Sequence, residues 1–230
     1  MIKDYKAFQE KLASYADDEY RAFSMKGIPC ERPFIGVRIP HIRQVVALIP
    51  RDKYPDFINI EPIAIEEVLA RGILICKLPY DEIIKLFDSQ IRYIDNWCTC
   101  DIFCSGLRSP IKKHREDFLE TKVEKLLKSN DEYATRAGLV ILKNSYIDPD
   151  YLNVIFDRTE SLASHEEYYV KMAIAWLLSE CFIKFPSATT GFLLASHLPK
   201  WTLNKTISKI CDSYRVDPEA KAMLKKIRKN

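Results

Sequence analysis

The chain reads as all-α, and three observations carry that reading. Only six glycines occur in 230 residues, long alternating β-branched runs are absent, and apolar residues recur at spacings of three and four throughout. That spacing is the period of a helix with one buried face. Proline supplies the punctuation. Asp148-Pro149, Ser109-Pro110 and Asp217-Pro218 each have the form of an N-cap followed by proline at the first helical position, and Pro40, Pro62, Pro79, Pro186 and Pro199 are placed to open other helices. The pattern predicts roughly twelve helices, mostly of about 10 to 18 residues, joined by short turns. No linker is long enough to separate domains, so residues 1–230 are expected to form a single domain.

Taken in order, the first helix is predicted from Lys3 to Met25, with Tyr5, Phe8, Leu12 and Tyr15 at helical spacing. Lys26 to Gly36 carries two prolines and two glycines and reads as a loop. After it, VRIPHIRQVVALIP gives a short helix with Ile42, Val45, Val46 and Ile49 inward, which leaves Arg38 and Arg43 to face solvent or phosphate. Residues 60–88 supply two more helices. A helical hairpin followed by others at about 35 to 45 residues is the sign of a HEAT-like solenoid, with a compact bundle as the alternative.

The stretch IRYIDNWCTCDIFCSGL, Ile91 to Leu107, read as one helix, places Ile91, Ile94, Cys98 and Ile102 on a core stripe. Trp97 and Asp101, four residues apart, fall together beside it. Two readings fit that pair. In one, Trp97 is a core aromatic and Asp101 a capping or salt-bridged residue. In the other, an indole and a carboxylate on one edge hold a flat cationic ligand. Cys98, Cys100 and Cys104 invite a metal reading, but a helix points Cys98 and Cys100 about 200° apart and no Cys-x-x-Cys or His pair accompanies them, so no metal is expected.

Lys112, Lys113 and Arg115 follow Pro110 in what reads as the first turns of a helix continuing to Lys128. Cations there oppose the helix dipole, which a bound polyanion would offset, although Glu116, Asp117 and Glu120 make a solvated charge mix the plainer explanation. A helix from about Asp131 to Tyr146 buries Ala134, Ala137, Gly138, Ile141 and Leu142, with Arg136 and Lys143 together on the opposite side. Such a pair is either a surface charge pair or a reach to two phosphates. In EEYYVKMAIAWLLSECFIKF the core stripe is Val170, Ala173, Ile174, Leu177, Leu178 and Cys181, and Trp176 stands about 130° from its middle. That second edge packs on a neighbouring helix or forms the aromatic wall of a cleft. Trp201, near the start of a later helix, is expected to be buried against the preceding turn. The last ten residues, KAMLKKIRKN, carry five cations and no anion, which suits a helix C-terminus and contact with DNA.

Composition bounds the rest. At 47% hydrophobic and 29% charged, with no apolar run of about 18 residues, the chain has the profile of a folded, soluble protein with no membrane segment. The charged, amphipathic start MIKDYKAFQEKL has no signal-peptide pattern, and the expected location is the cytoplasm. Seven cysteines, mostly within apolar helical segments, point to reduced thiols. A net charge of +3 permits nucleic-acid binding without indicating it.

Four spaced motifs, NWCTCD, ATRAGLVIL, YYVKMAIAWLLSE and NKTISKI, with FIGVRIPHIRQ ahead of them, resemble the HEAT-like DNA alkylation repair family, the AlkD-like alkylpurine DNA glycosylases, over nearly the whole chain. The resemblance implies a curved α-solenoid with a concave, positively charged groove. The family's W-x-x-x-D pair, x-R-A arginine and A-I-x-W tryptophan fall here on Trp97, Asp101, Arg136 and Trp176. It implies excision of N3- or N7-alkylated purines from duplex DNA without deep base flipping, with Asp101, Trp97 and Trp176 catalytic. Arg136 and neighbouring lysines, Lys143 and Lys171 among them, would grip phosphates together with Lys112, Lys113, Arg38 and Arg43. No cofactor is implied, and the partner is alkylated double-stranded DNA bound by a monomer. Cys98 and Ser179 stand where many relatives carry basic or aromatic residues, and EYRAFSMKGIP offers no clear match to the tyrosine that contacts DNA in some members. The competing expectations are a non-catalytic binder of damaged or branched DNA and a protein-binding helical scaffold.

Overall fold

Local capping chemistry sets where the helices begin. The computed structural model describes residues 1–228, all-helical with turns and no strand among them. It divides into two compact units, Met1–Lys113 and His114–Asn230.

In the first unit, α1 (Tyr5–Ala13) and α2 (Asp18–Met25) replace the single helix predicted from Lys3 to Met25. Asp17 causes the break: its carboxylate accepts from the Tyr20 amide at 2.8 Å and restarts the helix. Its own amide donates to Gly36 O at 3.1 Å, so the chain there is committed to the loop rather than to α1. Residues 26–38 are irregular, as expected. Gly36 is required within them, since its φ is +95° and a Cβ would meet Asp17 O at 2.6 Å. Then come α3 (Ile39–Ala47), with Pro40 at its second position, the short α4 (Tyr54–Ile58), α5 (Ile65–Ile75), α6 (Tyr80–Ile91) and α7 (Trp97–Gly106). Helix α5 is buried on every side from Ile65 to Gly72 and packs against α3, α6 and α7. A helix with no solvated face belongs at the centre, and its three buried charges are each satisfied there. Glu66 accepts from the amides of Ile35, Gly36 and Val37, Glu67 from those of Ile63 and Ala64, and Arg71 donates to Ile58 O, Gln90 and Ser89.

In the second unit, α8 (Arg115–Phe118), a wide π turn (Leu119–Val123) and α9 (Glu124–Leu127) run on from one another. They are followed by α10 (Glu132–Ser145), α11 (Leu152–Ser161), α12 (Tyr168–Lys184), α13 (Pro186–Ala195), α14 (Lys200–Asp212) and α15 (Pro218–Ile227). Helix α12 is the centre here, packed on α10, α13 and α14, and its whole predicted core stripe is buried.

The prolines divide by what precedes them. Asp217-Pro218 caps α15 as predicted, with the Asp217 carboxylate on the Ala220 amide at 2.8 Å, and Pro79, Pro186 and Pro199 also stand at helix starts. Asp148-Pro149 does not, because the Asp148 carboxylate is paired with Arg115 and α11 starts only at Leu152. Pro62 precedes α5 by three residues, and Ser109-Pro110 lies in a run of turns. Lys112 and Lys113 therefore sit before α8 rather than in its first turns, so the predicted helix-dipole cost does not arise for them, whereas Arg115 does open α8 and is paired with Asp148. No helix among the described residues is long and apolar enough to cross a membrane. Of the five C-terminal cations, Lys221, Lys225, Lys226 and Arg228 are on or next to α15, while Lys229 lies outside the described residues.

Candidate functional site

Residues 92–96 are not helical, so the stripe predicted across Ile91 to Leu107 does not exist as one face. Ile91 ends α6, and Asn96 caps α7 by accepting from the Thr99 amide at 3.0 Å. This restart turns α7 so that Thr99, Cys100, Phe103 and Cys104 form its buried face, while Cys98 and Ile102 are only half-buried. Trp97 opens the helix and Asp101 follows one turn on, on the same side. The two line one hollow of about 590 Å³ in the first unit. Its other walls are largely apolar and include Tyr20, Phe23, Ile28 and Ile39.

The hollow is held by named contacts. The Trp97 indole N–H donates to Gly27 O at 2.8 Å, which fixes the ring against the loop after α2. Arg32 from that loop pairs with Asp95 at 3.0 Å, two residues before Trp97, and donates to Pro62 O. Glu66 holds the loop's far end through the three amides already described. Burial, and after it the charge of Asp101, pushes the Cys98 thiol up to about 12, so it stays protonated and uncharged beside the carboxylate.

Tyr20 lies in EYRAFSMKGIP, the stretch read as offering no clear match to a DNA-contacting tyrosine, yet it shares the hollow with Trp97 and Asp101. The Arg38 guanidinium lies 4.3 Å from its ring centroid and pairs with Asp17 at 3.0 Å. The one sequence signal was Asp17 as the cap that starts α2, which sets which way Tyr20 faces. Arg43 is exposed on α3, and Lys112 and Lys113 are exposed in their turns.

The remaining candidates belong to the second unit. Arg136 and Lys143 were placed on a side of α10 away from its core, but α10 is buried from Ala134 through Leu142 and Arg136 is only 5% exposed. Its guanidinium donates to Tyr169 O at 3.1 Å and lies 5.9 Å from the Tyr169 ring, while Glu132 accepts the Tyr169 amide at 2.7 Å. One turn of α10 thus grips the first turn of α12. The Lys143 ammonium sits 3.2 Å from the centroid of the Trp176 ring, so the indole edge predicted as a cleft wall has a cation on its face. Lys171 pairs with Glu166 at 3.6 Å and lies 5.4 Å from the Trp201 ring. Trp201, expected to be buried, is 41% exposed, because it is on the outer side of α14 while Thr202 and Leu203 face inward.

Among the described residues no group of three or more His, Cys, Asp or Glu is placed to hold a metal ion. No match was found among curated proteins. The family model described as DNA alkylation repair enzyme matches residues 8–210, a span that holds Trp97, Asp101, Arg136, Lys143 and Trp176, and the chain belongs to that family.

Proposed function

We propose that the protein is a DNA glycosylase that removes N3- and N7-alkylated purines from duplex DNA by hydrolysing the N-glycosidic bond, without drawing the base into a deep pocket. The observation that carries this reading is the pairing of Trp97 with Asp101 on one wall of an open hollow, in a chain of the DNA alkylation repair family. An alkylated purine of this kind is already a cation. When the bond from C1′ to nitrogen breaks, the electron pair leaves with the base and neutralises it, so no strong general acid is needed. Positive charge grows instead on the deoxyribose. Asp101 stabilises that charge, orients the water that attacks C1′ and takes up its proton. Trp97 holds the cationic lesion nucleotide against its electron-rich face.

Trp176 is the second indole of this reading, and Arg38, Arg43, Lys112, Lys113, Arg136, Lys143 and Lys171 are its phosphate contacts. The fold that would present them is a HEAT-like solenoid with a concave groove. In support, alternate helices pack on one another in each unit, α1 on α3, α3 on α5 and α5 on α7, then α10 on α12 and α12 on α14. The same reading makes the protein a monomer acting in the cytoplasm. One observation favours a second reading, a non-catalytic binder of damaged DNA: the Lys143 ammonium already sits on a face of the Trp176 ring.

Free 7-methylguanine released from a duplex carrying it is the test, for wild type and Asp101→Asn. Glycosylase activity predicts release that falls about 10²- to 10³-fold in the variant, the loss typical of a single electrostatic stabiliser. Salt-sensitive binding without release by wild type leaves the non-catalytic reading. Neither binding nor release removes both and leaves a protein scaffold. Where binding occurs, log affinity against log salt is expected to slope at about −4 to −8, for roughly five to eight phosphates.

A further inference from the structure

A second hollow, in the C-terminal unit, is unused by the excision reading. It measures about 520 Å³ and is lined by Lys200, Trp201, Asn204, Lys205, Ser208 and Arg228. All but Arg228 come from one side of α14, spaced so that they share a face of the helix. Among the described residues no carboxylate lines it, and neither Lys200 nor Lys205 is in an ion pair. The positive charge extends inward, since the Lys209 ammonium is held below its usual range by burial and then by the cations Lys205 and Arg136, with Asp212 as the opposing charge.

Trp201 is what separates this face from an ordinary basic patch. The ring is ordered from α12: Tyr168 meets it edge-on at 5.8 Å, and Lys171 lies 5.4 Å from its centroid. Both aromatics remain open, Tyr168 at 52% and Trp201 at 41%. An exposed indole costs solubility unless something flat covers it, and cations around it choose an anion. A flat group joined to an anion is a nucleotide.

We propose that this hollow binds an unpaired nucleotide of single-stranded DNA, with its base on the Trp201 indole and the flanking phosphates on Lys200, Lys205 and Arg228. Single-stranded rather than duplex DNA follows from the stacking. Inside a duplex each base face is covered by its neighbours, so an indole there has nothing to stack on, whereas a single strand offers a π-face at every base. An acidic peptide would satisfy the cations and leave the indole unused.

The site is independent of Asp101, and its test uses undamaged DNA, so it stands or falls separately from base excision. Binding of a fluorescein-labelled thymidine 12-mer to the full chain is followed by anisotropy at low salt. Trp201→Ala is expected to weaken it roughly ten- to hundredfold, and Trp201→Phe, which keeps a stacking ring, only severalfold. Lys205→Gln is expected to make the slope of log affinity against log salt shallower by about 0.7. An unchanged circular dichroism melt for both Trp201 variants excludes unfolding as the cause. Absence of binding by wild type overturns the proposal, as does equal binding by Trp201→Ala. An abasic 12-mer that binds as tightly as the thymidine strand overturns the stacking, and displacement by polyglutamate at equal charge overturns the choice of nucleic acid.

Discussion

Each unit sets an indole against a charged side chain, and the charges have opposite signs. Trp97 stands one helical turn from the carboxylate of Asp101, and Trp176 lies under the ammonium of Lys143. For a cationic purine the two are unequal before any nucleic acid arrives. The first offers a π-face and a negative charge, whereas the second already holds a cation, an interaction worth from about 0.5 to 2 kcal/mol depending on how dry it is. A tryptophan on the edge of a buried helix therefore need not have the same role in both units. The neighbouring helix decides what stands on the ring, and helix periodicity carries no information about it.

The strongest way to break the comparison is at the carboxylate. Asp101→Asn keeps the shape of the hollow and removes its charge, so base release is expected to fall about 10²- to 10³-fold while duplex affinity changes little. If release is unaffected, the two indoles are equivalent and the sign of the neighbouring charge is irrelevant. Next in size is the support of the hollow. Glu66 is fully buried and accepts three amides at 2.7 to 3.0 Å from residues 35–37. Glu66→Ala would leave those donors unsatisfied, for an expected loss on the order of 3 kcal/mol in urea unfolding, and Glu66→Gln, which keeps an accepting oxygen, would cost less. The indoles themselves come third. Trp97→Ala is expected to reduce release about tenfold or more, and Trp176→Ala by less, because Trp176 must first lose its ammonium. Equal losses would show that Lys143 does not compete.

What the sequence made legible follows from which forces act locally. The α12 core stripe and the span of α10 were readable because burial at a 3.6-residue period and an Asp131 cap are local signals. Trp97 and Asp101 were readable as a pair for the same reason. The α7 stripe was not, because Ile91, Ile94, Cys98 and Ile102 keep helical spacing across residues 92–96 and conceal the Asn96 restart. Arg136 was misplaced because an arginine on a helix defaults to solvent, and only the backbone oxygen of Tyr169, thirty-three positions later, makes its burial affordable. Tyr20 was passed over in its stretch since its place depends on a break in the first helix that no proline or glycine marks.

The smallest effect is the most discriminating. A lysine that only contacts phosphate loses affinity and salt dependence together when it is neutralised, and Lys112 or Lys113, exposed in their turns, are expected to behave so. Lys143 differs because it must leave the Trp176 ring to reach a phosphate. Lys143→Gln forfeits that phosphate contact, yet it also removes the cation–π interaction that DNA would have to break. These terms offset. The slope of log affinity against log salt is expected to become shallower by about 0.9, while affinity near physiological salt shifts by less than about threefold. A full loss of affinity alongside the slope would mean that the ammonium is not held by the indole in solution. No change in either would mean that it stays on the ring when DNA binds, and that Trp176 takes no part in holding the damaged base.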